Sequence, residues 1–260
     1  MSIALNISEI LFAGIDMSES KRKKMVNEGS IRKITSKIYT PNMVDSLEDI
    51  VKRNVFRILG FLFPHAVISH RSAFELKPTE AGDIYLTYEY TKNVKLPGLK
   101  VHLMEGHGGG ERDMPFIENL YISSAERRTL ENLQASRSRG GVSKCLPREY
   151  IENYLEKHLQ VNGEKGLNDF RDKARECSLE LGMKEEFNTL NSIIGALLLT
   201  RPVSILTSSG SVARASGEPF DAERVKLFGV LFEALHNQPF ETIDEPNVET
   251  SAFRNFAFFE

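Results

Sequence analysis

Tryptophan is absent from this chain of 260 residues, cysteine occurs twice, and long apolar runs are missing. Each shortage excludes something. Cys145 and Cys177 lie far apart and fit no metal-ligand spacing, so both read as reduced thiols of a cytoplasmic protein. The longest apolar run, Ile193 to Leu199, falls far short of the roughly 18 residues that carry a helix across a bilayer. Met1 to Ile15 lacks the basic, then apolar, then small-residue pattern of a secretory signal, and no membrane partner is expected. Strong net charge is missing too: the formal balance is only -3.

What is present is a globular composition, 41% hydrophobic and 27% charged, enough for one large or two medium domains with real cores. Charge is unevenly placed. Asp16 to Thr40 carries seven basic residues against three acidic ones, whereas Glu241 to Glu260 carries five acids against Arg254 alone. The two ends have opposite electrostatic roles.

The front end predicts a short helix over Ser8 to Ala13, a turn at Gly14 to Asp16, and a second helix opened by Asp16-Met17-Ser18-Glu19 and closed at Gly29. Met25 and Val26 are expected to face inward. Ile31 to Tyr39 then interleaves apolar and basic residues as a two-stranded ribbon would. Helix, turn, helix and ribbon together make a winged helix-turn-helix. In such a module short polar and basic side chains on one helix reach base edges, and cations on the ribbon meet phosphates. Ser18, Ser20, Lys21 and Lys24 form the expected groove-facing set, and Arg32, Lys33 and Lys37 the phosphate set.

Further along, Ser46 to Phe61 has the apolar spacing of one core helix, and Asp83 to Thr91, Leu99 to Met104 and Phe116 to Ile122 read as strands. From Pro147 onward helices dominate, with core stripes at Ile151, Leu155 and Leu159 and again at Leu190, Ile193, Ile194 and Leu197. Arg201 to Pro219, rich in Ser, Gly and Ala, reads as a linker, and Asp221 to His236 as a further helix. The fold class is therefore α/β (α+β): a winged helix at 1–44, a small mixed domain at 45–140, a helical extension at 141–202, a linker at 203–220 and closing helices at 221–260.

Catalytic signatures fail on spacing. Asp83 and Glu89 are not followed by the Glu-x-Lys that a magnesium nuclease needs, since the lysine is Lys92. His70 has no acid or nucleophile at a fixed spacing and reads as a satisfied buried histidine. Gly106-His107-Gly108-Gly109-Gly110 looks like an oxyanion-type loop, but no Gly-x-Ser-x-Gly accompanies it, so a mobile surface turn is expected. No catalytic residue, cofactor or metal is assigned.

Several segments carry a resemblance. Lys23-Lys24-Met25-Val26-Asn27-Glu28-Gly29-Ser30-Ile31-Arg32-Lys33-Ile34 with Ile38-Tyr39 resembles the winged helix of AbiEi-type antitoxins, although Ser36-Lys37-Ile38-Tyr39 departs from the usual glycine before the tyrosine. Ala66 to Leu76, and Ser123-Ser124-Ala125-Glu126-Arg127-Arg128 leading into Leu133, are similar to that family's second domain. Ala213 to Asp221 and Ala252 to Glu260 are similar to what precedes the catalytic domain of Fic-family AMP-transferases, whose His-Pro-Phe and Gly-Asn-Gly-Arg strings do not occur in the chain. The Phe253, Phe256, Phe259 stripe reads as a helix needing a covering surface. The resemblance implies a bacterial DNA-binding regulatory region, a possible homodimer, that represses its own promoter or restrains a Fic domain in cis or in trans. It leaves open a role in target recognition or oligomerisation without DNA.

Overall fold

The computed structural model describes residues 8–136, 142–217 and 222–236. The chain is a mixed α/β protein, dividing into one unit at Met1–Glu218 and another at Pro219–Glu260.

The first strand, β1 (Leu11–Phe12), occupies the stretch where the sequence suggests a helix. Its short apolar run is ambiguous between helix and strand, and packing decides it: Phe12 stacks on Phe61 at 4.3 Å, and Leu11 and Phe12 pair with Tyr39 and Ile38. The Asp16 carboxylate then accepts the Phe12 amide, closing a turn instead of opening a helix. The expected first helix of a helix-turn-helix is thus replaced, and one helix, α1 (Glu19–Asn27), precedes the ribbon among the described residues. Ser18 caps it. At its end the Gly29 amide bonds Val26 and the Ser30 amide bonds Met25, the paired pattern that stops a helix at a left-handed residue. Met25 is partly covered but Val26 is exposed, against expectation. Strands β2 (Arg32–Thr35) and β3 (Ile38–Thr40) complete a three-stranded sheet of order β1-β3-β2.

The predicted single helix over Ser46 to Phe61 is two, α2 (Leu47–Arg53) and α3 (Val55–Leu62), broken at Asn54, whose amide side chain bonds Glu9 and the Ile50 carbonyl. They cover a six-stranded sheet of β4 (Val67–Ile68), β5 (Asp83–Tyr88), β6 (Lys92–Leu96), β7 (Leu99–Glu105), β8 (Met114–Pro115) and β9 (Tyr121–Ile122), ordered β6-β7-β5-β4-β9-β8. β5 runs parallel to β7 and β4 to β9, while the other pairs are antiparallel. The sequence suggests no strand at β6 because its Lys92, Asn93 and Lys95 are exposed, as suits a charged sheet edge. Within Phe116 to Ile122, read as one strand, a 3-10 turn at Ile117–Asn119 precedes β9, and only Tyr121–Ile122 is strand. Ile10, Phe12, Ile34 and Ile38 share one core with Ile58, Leu86 and Leu103, so residues 8–44 pack into the core of the sheet and are not a separate bead.

A second core joins α5 (Ala125–Asn132) to the helices beyond it, α6 (Arg148–Leu181) and α7 (Lys184–Leu197), through Leu130, Leu155, Phe170, Leu190 and Ile194. α4 (His70–Glu75) lies against α5. α6 is not straight. Gly163, at φ 68° and ψ -178°, takes a backbone conformation that belongs almost entirely to glycine and doubles the chain back. His158 and Phe170 consequently meet at 5.3 Å, although twelve residues of straight helix would separate them by roughly 18 Å.

Of the stretch expected to be a linker, the described residues 201–217 are folded. Ser209–Ala215 forms α8, and the fully buried Glu152 carboxylate accepts the Thr207 and Ser208 amides, each at 2.7 Å. Small polar residues here serve a capping carboxylate rather than flexibility. In the second unit, α9 (Ala222–His236) is the predicted helix, and Leu227, Phe228 and Phe232 are exposed on it. Residues 237–260, with the acidic stretch and the aromatic stripe, lie outside the described residues.

Candidate nucleic-acid interface

α1 has no buried residue, so every side chain it carries beyond Met25 and Arg22 stands in solvent. Glu19 sits in its first turn and Lys24 in its last, the charge order that suits the helix dipole. Ser20, Lys21 and Lys24 are exposed as expected. Lys23 and Lys24 are tied loosely to Glu19 at 3.4 Å and Glu28 at 3.8 Å, contacts that are weak in water and easily exchanged for a stronger anion. Lys21 has no such partner among the described residues. Ser18 is diverted: its hydroxyl accepts the Lys21 amide and contacts the Ser20 hydroxyl at 3.2 Å, which makes it the helix cap.

The three phosphate-set residues divide. Lys33 and Lys37 are exposed and border a concave notch of about 500 Å3 between α1 and the β2–β3 hairpin. Arg32 is turned the other way. Its Nε and Nη2 donate to the Asn42 carbonyl and Nη2 also to the Asp45 carbonyl, so it fastens the hairpin to the approach of α2 and leaves the anion-facing set. In its place the notch holds Arg22, which the sequence reading left out. Arg22 Nη1 donates to the Tyr39 hydroxyl at 3.0 Å, and the guanidinium lies 5.8 Å from the Tyr39 ring centre. Its partner is seventeen residues away, so no local spacing could reveal it. Glu19 is the acid at the rim.

The turn that brings Lys37 to the notch is strained. Lys37 has φ 62°, in the left-handed region that costs an ordinary residue roughly 1–2 kcal/mol. The Lys37 carbonyl accepts the Ala13 amide, locking that turn against β1. A lysine kept where glycine would be easier points to a use for its charge.

A second cluster of charge behaves oppositely. Arg127 on α5 is 4% exposed and spends its donors internally: Nε on Glu131 at 2.8 Å, Nη1 on Asp113 at 2.6 Å and on the Gly108 carbonyl, Nη2 on the His107 carbonyl at 2.8 Å. Burial alone would lower the guanidinium pKa, but the two carboxylates outweigh it and keep the group charged. The second Glu131 oxygen accepts the His70 amide. Asp113 in turn accepts the amides of Gly110 and Ser124. The His107–Gly110 turn lies at the surface, as the sequence suggests, but is pinned from beneath and not free to move. His70 is buried, with ring nitrogens against Ser69 and Gln134, and burial lowers its pKa. Asp83, the nuclease candidate, receives His102 Nε2 at 2.7 Å, and that ring stacks on Tyr85.

Comparison with protein-family models, with curated proteins and with solved structures finds no match for this chain. Exposed, weakly paired lysines beside a basic notch can accept a polyanion, whereas the Arg127 guanidinium has its donors already spent inside the fold.

Proposed function

We propose that this chain is a regulatory region that binds duplex DNA through α1 and the β2–β3 hairpin. The observation that carries the reading is the convergence of α1, whose Ser20, Lys21 and Lys24 are exposed, with a hairpin whose Lys33 and Lys37 share one notch with Arg22. A helix free of burial along its length suits a groove, and cations on the adjoining hairpin suit the flanking phosphates. With one helix ahead of the hairpin instead of two, the contact rests on α1 and the strained turn, without the crossing helix that a helix-turn-helix lays over the backbone. Repression of its own promoter, alone or as a homodimer on two half-sites, is the proposed role. Restraint of a Fic domain in cis or in trans belongs to the same proposal and rests only on the likeness of Ala213 to Asp221 and Ala252 to Glu260, most of which lies outside the described residues.

Fluorescence anisotropy with the upstream promoter duplex from about 50 to 200 mM salt tests the reading. Saturable binding with a steep salt slope, lost in a Lys21→Glu/Lys24→Glu variant, is the expected result. A flat signal, or binding indifferent to the variant, sinks DNA recognition and leaves the basic face to an acidic protein partner.

A further inference from the structure

A second cleft lies at the carboxyl ends of the parallel strands β5 and β7, away from the basic face, in the position where α/β sheets place small ligands. Its volume is about 260 Å3, and its lining includes His65, Tyr88, Glu89, Gly108, Gly109 and Tyr121. The pinned glycine turn forms one wall. The carbonyls of His107 and Gly108 both point at the Arg127 guanidinium, and the chain has no cis peptide bond among its described residues. In a trans peptide the N–H points opposite to the C=O. The amides of Gly108 and Gly109 therefore point away from Arg127, toward the side of the turn where those residues meet Tyr88 and Tyr121. Neither amide has an acceptor among the described residues.

Two adjacent outward amides fixed from behind by a cation form a ready anion cradle. Gly109 is required for it: a Cβ there would lie 2.6 Å from the Tyr121 ring, so the turn could not rest on that ring with any side chain. Glu89 also lines the cleft, exposed just beyond the end of β5 and free of an ion pair among the described residues. Tyr88, braced edge-on by Phe63, and Tyr121 add aromatic surface to the lining. The backbone around the cleft is held under strain: His65 has φ 66° and its amide bonds the carbonyl of Asn119, itself at φ 63°.

Outward amide donors, a carboxylate without an ion pair and aromatic surface in one small cleft suit a ligand that carries an anion, a cation and an apolar group on a single carbon. We propose that this cleft binds a free α-amino acid, its carboxylate on the Gly108 and Gly109 amides, its ammonium on Glu89 and its side chain against Tyr88 and Tyr121. The proposal is independent of DNA binding.

The test is NMR on the full chain with 15N-glycine and carbonyl-13C-histidine, because His107-Gly108 is the only His-Gly pair in the sequence and so isolates the Gly108 amide. Leucine and phenylalanine serve as probes, with acetate and methylamine as half-ligands. A saturable shift of the Gly108 amide with an amino acid in the millimolar range or below, and weaker binding of acetate, are expected. Glu89→Gln, at an exposed position that does not threaten folding, should weaken the amino acid roughly tenfold and leave acetate unchanged. No saturable shift with either amino acid overturns the site. Acetate binding as tightly as the amino acids, or Glu89→Gln binding them as the parent does, overturns the zwitterion.

Discussion

α1 and α5 carry similar runs of sequence, Lys21-Arg22-Lys23-Lys24 on one and Glu126-Arg127-Arg128 on the other, and put them to opposite uses. On α1, Lys21, Lys23 and Lys24 stand in solvent, the last two with contacts of 3.4 and 3.8 Å to neighbouring acids. On α5 the guanidinium of Arg127 is enclosed by two carboxylates and two carbonyls. A charge run alone therefore says little about binding. What separates the two is whether the donors are already spent, because a buried and saturated cation offers nothing to a ligand, while an exposed and loosely paired one loses little by changing partner.

Removing Arg127 should produce the largest effect. Arg127→Ala leaves Asp113 and Glu131 buried without their cation and frees the glycine turn, so a loss of about 3–5 kcal/mol in urea unfolding is expected. A loss below about 1 kcal/mol would mean that water replaces the guanidinium easily, and the contrast with α1 would lose its basis. The Lys21→Glu/Lys24→Glu variant should do the reverse. Its stability should stay within about 0.5 kcal/mol of the parent, since neither lysine is buried, while saturable duplex binding is lost.

Legibility in the sequence follows the same division. Amphipathic stripes such as Leu190, Ile193, Ile194 and Leu197 are visible because a helix face repeats locally, and α7 and α9 fall where that periodicity puts them. Long-range partners are invisible. Leu11 and Phe12 become a strand because β3 and Phe61 receive them; Arg32 leaves the anion-facing set because the carbonyls of Asn42 and Asp45 lie within its reach. Thr207 and Ser208 look like linker until Glu152, some fifty-five residues earlier, captures their amides. Lys21, Lys24, Lys33 and Lys37 were readable because exposed charge needs no partner to stay exposed. Arg22 was not, because Tyr39 holds it.

Acid should probe how the basic unit is attached to α2. Hydrogen bonds chiefly from Arg53, then from Asn54 and Asn42, outweigh burial and hold the Glu9 carboxyl down at about 2, against 4.5 in the ordinary state. A depressed carboxyl pKa contributes stability that is complete above 4.5 and fades as the pH falls toward about 2. Arg53→Ala should be less stable than the parent at neutral pH, with the gap closing across that window in thermal unfolding. A gap constant with pH would assign the effect of Arg53 to packing instead.

The smallest expected effect bears most closely on function. Lys37→Gly relieves a left-handed lysine, worth roughly 1–2 kcal/mol, but adds the freedom of glycine to the unfolded chain, which costs roughly 0.5–1 kcal/mol. The net is a gain of about 0.5 kcal/mol in stability. The same change deletes a cation at the notch, so the salt slope of duplex binding should fall by about one. A protein made slightly more stable and slightly worse at binding is what a turn strained for its charge requires. If Lys37→Gly stabilises the fold and binds DNA with an unchanged slope, the strain at Lys37 has no part in binding, and α1 alone must account for whatever affinity the basic face has.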